Sequence, residues 1–386
     1  MLLECPEIDY PVFWIDTDVA LESLCTGLLT KTILSIDTEF DRFRRKYGIN
    51  LELIQLFDGE QVYLIRVLSM SNLLPLKPIM ENAQIIKVLY SGSEDIQVFK
   101  VNGIAPKGVY DLQPASQLSG FTAVSLSGLL EELLHRQFDK SKQTSDWSKT
   151  QLDKEQVIYA ANDVIHLLDL HQRVSAASQE FKTDSFIEEE NRLLEAVQVS
   201  ETIPRLKQQQ REMFNRHEQA ILLELMHVRD GLGKMVNKPP HFVLSDKHLE
   251  AIVQDRANFG GKSQLLSYSV FFKRNDALLL KAHRDIVSAL AMAWPPPKSV
   301  VSRDASPRLM KVIIDNEKLE PFIQNYQTWL KTEYPESIAL YLCSGLKRFL
   351  REYVTDASGY NFATYKRNLL FRFVNENGLD LKKDLV

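Results

Sequence analysis

The chain has 386 residues, which is too long for one compact domain and predicts two or three. A hydrophobic fraction of 45%, a charged fraction of 25% and a net charge of −5 are those of an ordinary soluble globular protein, and no apolar run reaches the length of a membrane span. Cys5, Cys25 and Cys343 are scattered without a Cys-x-x-Cys pair, which excludes a cysteine-rich zinc site and suits a reducing cytosol.

The N-terminal residues Met1–Glu7 carry no basic segment and no long apolar segment, so no signal peptide is predicted. Strands are predicted over Ile33–Asp37, Leu53–Phe57, Val62–Ile65 and Ile85–Leu89, where β-branched and large apolar residues dominate. Asp58-Gly59, with Glu60-Gln61 joining the loop, is a turn signal between the second and third. Helices are predicted over Leu73–Asn82, Glu94–Lys100, Pro114–Ser119 and Leu126–His135, and one long helix from Asp153 to Ala177. Three strands followed by helices and a further strand indicate a mixed α/β sheet.

From Glu180 to Gln210 the chain turns polar and reads as a helical connector. Beyond it the strand signals fade, and helical periodicity marks His217–Lys234, Ser245–Arg256, Leu278–Trp294, Arg308–Leu330 and Glu336–Val354. Pro321 is expected to break or kink the fourth of these, and Pro295-Pro296-Pro297 to divide two all-α modules. Residues 1–200 hold 30 acidic and 18 basic side chains, whereas residues 201–300 hold 10 and 15. This asymmetry fits a metal-dependent catalytic domain joined to a polyanion-binding region, and it fits chance equally well.

Asp37 and Glu39 stand one residue apart at the end of the apolar run Thr32–Phe40. Alternate residues of a strand share a face, so two carboxylates emerge side by side. Such a pair is costly unless a cation lies between its members, and hard divalent ions bound by oxygen are the usual partner. Asp95 follows the strand at 85–89, and Tyr159 and Asp163 share one face of the long helix. Taken singly, Asp95 reads as a helix cap and the Tyr159–Asp163 pair as a solvated face. The set carries the signal.

In this order and on these elements, Asp37, Glu39, Asp95, Tyr159 and Asp163 resemble the DEDDy class of 3′–5′ exonucleases. The blocks Asp37-Thr38-Glu39-Phe40, Leu53–Gly59, Gly92–Phe99, Asp139-Lys140-Ser141, Asp146-Trp147-Ser148 and Gln156–Asp163 are similar to those of the ribonuclease D family. Leu222–Asn237 followed by Lys238–Asp246 is similar to the helical HRDC domain of that family and of certain helicases. The family often has His where this chain has Tyr90-Ser91, and an Arg before Asp146-Trp147 is replaced.

The resemblance implies a ribonuclease H-like α/β catalytic domain, a mixed sheet with flanking helices, over residues 1–182. A helical linker at 183–211, an HRDC domain at 212–292 and a second HRDC-like all-α domain at 293–386 would follow. It implies two divalent ions, Mg²⁺ or Mn²⁺, held by Asp37, Glu39, Asp95 and Asp163, with Tyr159 orienting the attacking water. It further implies a cytoplasmic 3′–5′ exoribonuclease that releases nucleoside 5′-monophosphates. Its substrates would be tRNA precursors and other small structured RNAs, gripped by the helical modules, and no membrane is involved. A DNA exonuclease and a nucleic-acid-binding protein with a vestigial site are the alternatives.

Thr38 and Phe40 flank the acids as candidate substrate contacts, Phe40 reading equally as a base-stacking and as a core residue. Arg42, Arg44, Arg45 and Lys46 read either as phosphate contacts or as a solvated loop. Gly260-Gly261-Lys262-Ser263 has no preceding strand and is expected to be a turn, not a phosphate-binding loop. His166 and His171 are expected at the surface.

Overall fold

The computed structural model describes residues 1–137, 141–199, 204–293, 316–354 and 362–385. Asp139, Lys140, Pro295–Pro297 and the start of the helix expected from Arg308 lie outside them. The chain divides into two compact units, one of residues 1–39, 51–199 and 309–386, the other of residues 40–50 and 200–308.

The first unit is built on a seven-stranded mixed sheet. Its strands are β1 (Leu2–Leu3), β2 (Val12–Ile15), β3 (Ile33–Arg42), β4 (Ile49–Phe57), β5 (Val62–Arg66), β6 (Ile86–Leu89) and β7 (Val109–Asp111), in the spatial order β1-β2-β5-β4-β3-β6-β7. β4 and β5 are antiparallel, with Phe57 opposite Val62, and β3, β6 and β7 run parallel. The Asp58–Gln61 turn forms as predicted: the Asp58 carboxylate accepts from the amides of Glu60 and Gln61, and Gly59 takes φ +92°. The four predicted strands are all present. The three additional ones are two to four residues long and carry no alternating pattern.

The helices of this unit are α1 (Asp18–Leu28), α2 (Lys77–Met80), α3 (Ser93–Val101), α4 (Leu112–Leu118), α5 (Leu126–Leu134), α6 (Lys154–Ile165), α7 (Leu167–Phe181) and α8 (Asp184–Ala196). The segment predicted as one helix over Leu73–Asn82 is a 3₁₀ turn at Leu74–Leu76 and the four residues of α2, because Pro75 and Pro78 each remove a backbone donor. The long helix predicted from Asp153 breaks at His166. α6 buries Val157, Ala160, Ala161 and Val164 with β4 and β5 residues, whereas α7 buries Leu167, Leu170 and Val174 with α4 and α5. One straight rod cannot serve both layers. His171 is half-buried rather than at the surface, its ring edge-on to Tyr110 at 4.4 Å.

The predicted connector contributes α8, which covers the edge strand β7. Asn191 accepts from the Asp111 amide at 3.0 Å, and Glu195 accepts from the Gly108 amide at 2.7 Å. Unpaired edge donors are thereby satisfied. The helices at Asn316–Leu330, Glu336–Leu342, Leu346–Val354 and Thr364–Glu376 also belong to this unit. Leu319, Tyr326, Leu342 and Leu370 share one hydrophobic core with Leu112, Leu130, Leu170 and Ile187. Pro321 sits in the second turn of its helix without breaking it, and the predicted Glu336–Val354 helix divides at Gly345, which takes φ +79°.

The second unit is helical, with a core of Ile221, Leu225, Val243, Leu249, Phe272 and Ile286. Its main helices are Arg216–Met235, Asp246–Gln254 and Asp276–Leu290. Gly261–Tyr268 forms a short helix where a turn was expected, with no strand before it, so a phosphate-binding loop is excluded. No helix among the described residues is long and apolar enough to cross a membrane.

Candidate active site

β3 is the strand between β4 and β6; it runs on to Arg42, so Asp37 and Glu39 stand within it, side by side on one face. α6 brings Asp163 to the same place. Carboxylate oxygens of Asp37, Glu39 and Asp163 all lie within 4.8 Å of one another. The strand and the helix are fastened together by Ser35, whose buried hydroxyl donates 2.7 Å to the Val164 carbonyl, next to Asp163.

α6 starts where its sequence dictates. Asp153 accepts from the Gln156 amide at 2.8 Å, and the Gln156 side chain accepts from the Asp153 amide at 3.1 Å, a reciprocal cap. Tyr159 lies one turn before Asp163, with its hydroxyl hydrogen-bonded to the Asp163 carboxylate. Asp163 Oδ2 is buried and has no hydrogen-bond partner among the described residues.

Asp95 occupies the first turn of α3 without capping it; Gly92 is the N-cap and supplies no side chain. The Asp95 carboxylate instead accepts the hydroxyl of Thr38. The turn before α3 is held by buried Asp111, which accepts from the amides of Ser91 at 2.8 Å and Gly92 at 3.0 Å. Ser91 takes φ +58°, and a Cβ on Gly92 would lie 2.2 Å from Leu89 Cδ1, so the turn needs both the anchor and the glycine.

Burial perturbs all four acids in the same direction, and repulsion from the other site acids adds to it at Asp37, Glu39 and Asp163. Asp37 is held well above the usual carboxylate range by burial, then by Asp163, Asp95 and Glu39. Glu39 is pushed up to about 9 by burial and by Asp163 and Asp95. Burial also raises Asp163 and Asp95, against the hydrogen bonds that Tyr159 and Thr38 donate to them. At 4.8 Å and an effective dielectric of about 20, each ionised pair costs about 3 kcal/mol. An all-oxygen donor set, a partnerless buried oxygen and unrelieved like charge are together the properties of a hard-cation site.

Residues 12–177 match the family described as 3′–5′ exonuclease. They belong to it. Ribonuclease D of Escherichia coli strain K12 is 37% identical over 167 residues, 43% of this chain and 44% of the relative. Ribonuclease D of Pseudomonas paraeruginosa is 30% identical over 254 residues, 64% of this chain and 66% of the relative. The chain thus spans less than two thirds of the length of these curated relatives. The crystal structure of E. coli RNase D, described as an exoribonuclease involved in structured RNA processing, has the same fold. Its TM-score is 0.70 at 24% identity, covering 96% of this chain and 98% of that one. The resemblance drawn from the sequence blocks is borne out.

The first unit brings together all five residues singled out in the sequence. Thr38 is buried against Asp95, and Phe40 is half-buried. Asp41, two residues after Glu39, is buried and accepts from the amides of Arg44, Arg45 and Lys46 at 2.9 to 3.1 Å, which fixes the backbone of the basic loop. A cavity of about 540 Å³ opens beside Tyr159, lined among others by Arg136, Lys142, Asn162 and His166. Sequence reasoning missed Ser35, Asp111 and Arg66. Each acts through backbone groups far away in the chain, and only a buried position for a polar side chain could have signalled it.

Proposed function

We propose that the chain is a metal-dependent 3′–5′ exoribonuclease that releases nucleoside 5′-monophosphates from the 3′ end of RNA. Its substrates are tRNA precursors and other small structured RNAs in the cytoplasm. The observation that carries this reading is the partnerless Asp163 oxygen within a cluster of mutually repelling acids.

Asp37, Glu39, Asp95 and Asp163 would hold two divalent ions, Mg²⁺ by default and Mn²⁺ as a substitute. When bound, such a pair activates the attacking water and neutralises charge on the phosphate and the leaving 3′-oxygen. Thr38 fixes the rotamer of Asp95 through its hydroxyl. Burial and the neighbouring Asp163 drive the Tyr159 phenol above its ordinary value, so it stays protonated at neutral pH. A protonated phenol orients a water by hydrogen bonding and cannot take its proton. Residues 212–292 are read as an HRDC domain and the helices beyond 293 as a second, which would grip the body of the RNA. Phe40 would stack on the terminal nucleotide.

The test is a product ladder on 5′-end-labelled RNA, with and without chelator. Stepwise shortening that stops on chelation, with nucleoside 5′-monophosphates released, supports the reading. Internal cuts, or activity that survives chelation, would refute it. A matched DNA oligomer degraded faster than the RNA would assign the chain to deoxyribose substrates.

A further inference from the structure

We propose that Arg66, at the end of β5, is a positioning residue that sets the orientation of Tyr159 through Trp147; this rests on the exonuclease reading of the site. Arg66 is only 3% exposed, unusual for a guanidinium. No carboxylate accepts from it among the described residues, although Glu52 and Asp146 lie near. Instead Nη1 donates 2.6 Å to the Trp147 carbonyl and 3.3 Å to the Glu52 carbonyl, and Nη2 donates to the Lys149 carbonyl. One planar fork therefore pins the loop Asp146–Lys149 to two strands of the sheet.

That loop backs Tyr159. Trp147 is 3% exposed, and its ring lies 6.0 Å from the Tyr159 ring at 40°. Its indole N–H finds no acceptor among the described residues, so the side chain is held by packing and by the backbone that Arg66 grips. The other end of the loop is tied to α6 by Gln156, whose amide donates 3.1 Å to the Asp146 carbonyl. Asp146 in turn accepts from the Ser148 amide and hydroxyl at 2.9 and 2.6 Å. The path from Arg66 to the hydroxyl of Tyr159 thus runs through a short rigid loop and one aromatic contact.

Lysine at position 66 keeps the charge but loses the fork. A small rotation of the Tyr159 ring would misplace its hydroxyl, and misplacements of this kind lower turnover more than binding. The test measures kcat and KM on a short oligoribonucleotide with Mg²⁺ for wild type, R66K, W147F, Y159F and the doubles R66K/Y159F and W147F/Y159F. R66K and W147F are each expected to lower kcat about tenfold, with KM within about twofold. In the Y159F background each is expected to change kcat by less than about twofold, since the group they position is gone. Additive losses would overturn the proposal, because a structural defect depresses both backgrounds alike. If R66K fails to fold, the W147F cycle decides alone on the same criterion. A wild type inactive with metal would overturn the exonuclease reading and this proposal together, whereas an active wild type with additive cycles overturns this proposal only.

Discussion

Replacing Asp163 with Asn should stabilise the metal-free protein and abolish its response to metal. Asp163 has carboxylate neighbours Asp37 and Glu39 within 4.8 Å, so at a dielectric of about 20 its charge contributes two repulsive pairs of about 3 kcal/mol each. Protonation limits the cost. Glu39 rises from an ordinary 4.5 to about 9, so near pH 7 it escapes repulsion by keeping its proton, at about 3 kcal/mol. Asparagine keeps an acceptor for the Tyr159 hydroxyl and removes the charge. The expected gain is about 1–3 kcal/mol in EDTA, a rise in Tm of several degrees. Because the folded-state pKa of Glu39 is raised, stability from this group is fully present below about pH 4.5 and is lost as pH climbs toward 9. Bound cations replace those protons, so the metal-induced rise in wild-type Tm should grow from pH 5 to pH 9. Differential scanning fluorimetry with EDTA, Mg²⁺ or Mn²⁺ reads each quantity. A metal-free D163N less stable than wild type, together with an equal metal shift in both proteins, would refute the reasoning.

Tyr159→Phe should lower kcat about 100-fold while leaving the Mn²⁺ binding isotherm within about threefold, because the hydroxyl orients rather than binds; an isotherm lost along with activity would contradict this. Lys87 is fully buried on β6, and its ammonium donates to the carbonyls of Asn82 at 2.7 Å, Ile85 at 2.6 Å and Ile79 at 3.3 Å. Lys87→Met should cost about 2–4 kcal/mol in urea unfolding by leaving those carbonyls unsatisfied, and an unchanged midpoint would disprove it. Deleting residues 309–386 should strip the apolar cover from α4, α7 and α8 and give an insoluble or strongly destabilised protein. A soluble truncation with wild-type Tm would show that those helices are dispensable for the fold.

The acids were legible in the sequence because two periodicities exposed them. Asp37 and Glu39 follow the two-residue period of β3, and Tyr159 and Asp163 the four-residue step of α6. Asp95 was legible only by its place in the series, since an acid in the first turn of a helix is ordinarily a cap. The break at His166 was hidden because the apolar pattern runs on across it while the layer it packs against changes. β2 was missed because Val12–Ile15 is only four residues long and pairs in parallel with β5, remote in the chain, so no hairpin turn marks it. The packing of the C-terminal helices onto α4, α7 and α8 joins residues more than a hundred positions apart, such as Thr364 and Glu189. Local pattern says nothing of such pairs. Arg66 and Lys87 escaped for a simpler reason, that charged side chains are expected outside.

Crystals of the wild-type protein soaked in Mn²⁺ and measured at the manganese absorption edge test the central claim most directly. The account predicts anomalous density among the carboxylates of Asp37, Glu39, Asp95 and Asp163, with Asp163 Oδ2 as a ligand. Full soaking with no anomalous peak at that cluster would contradict it.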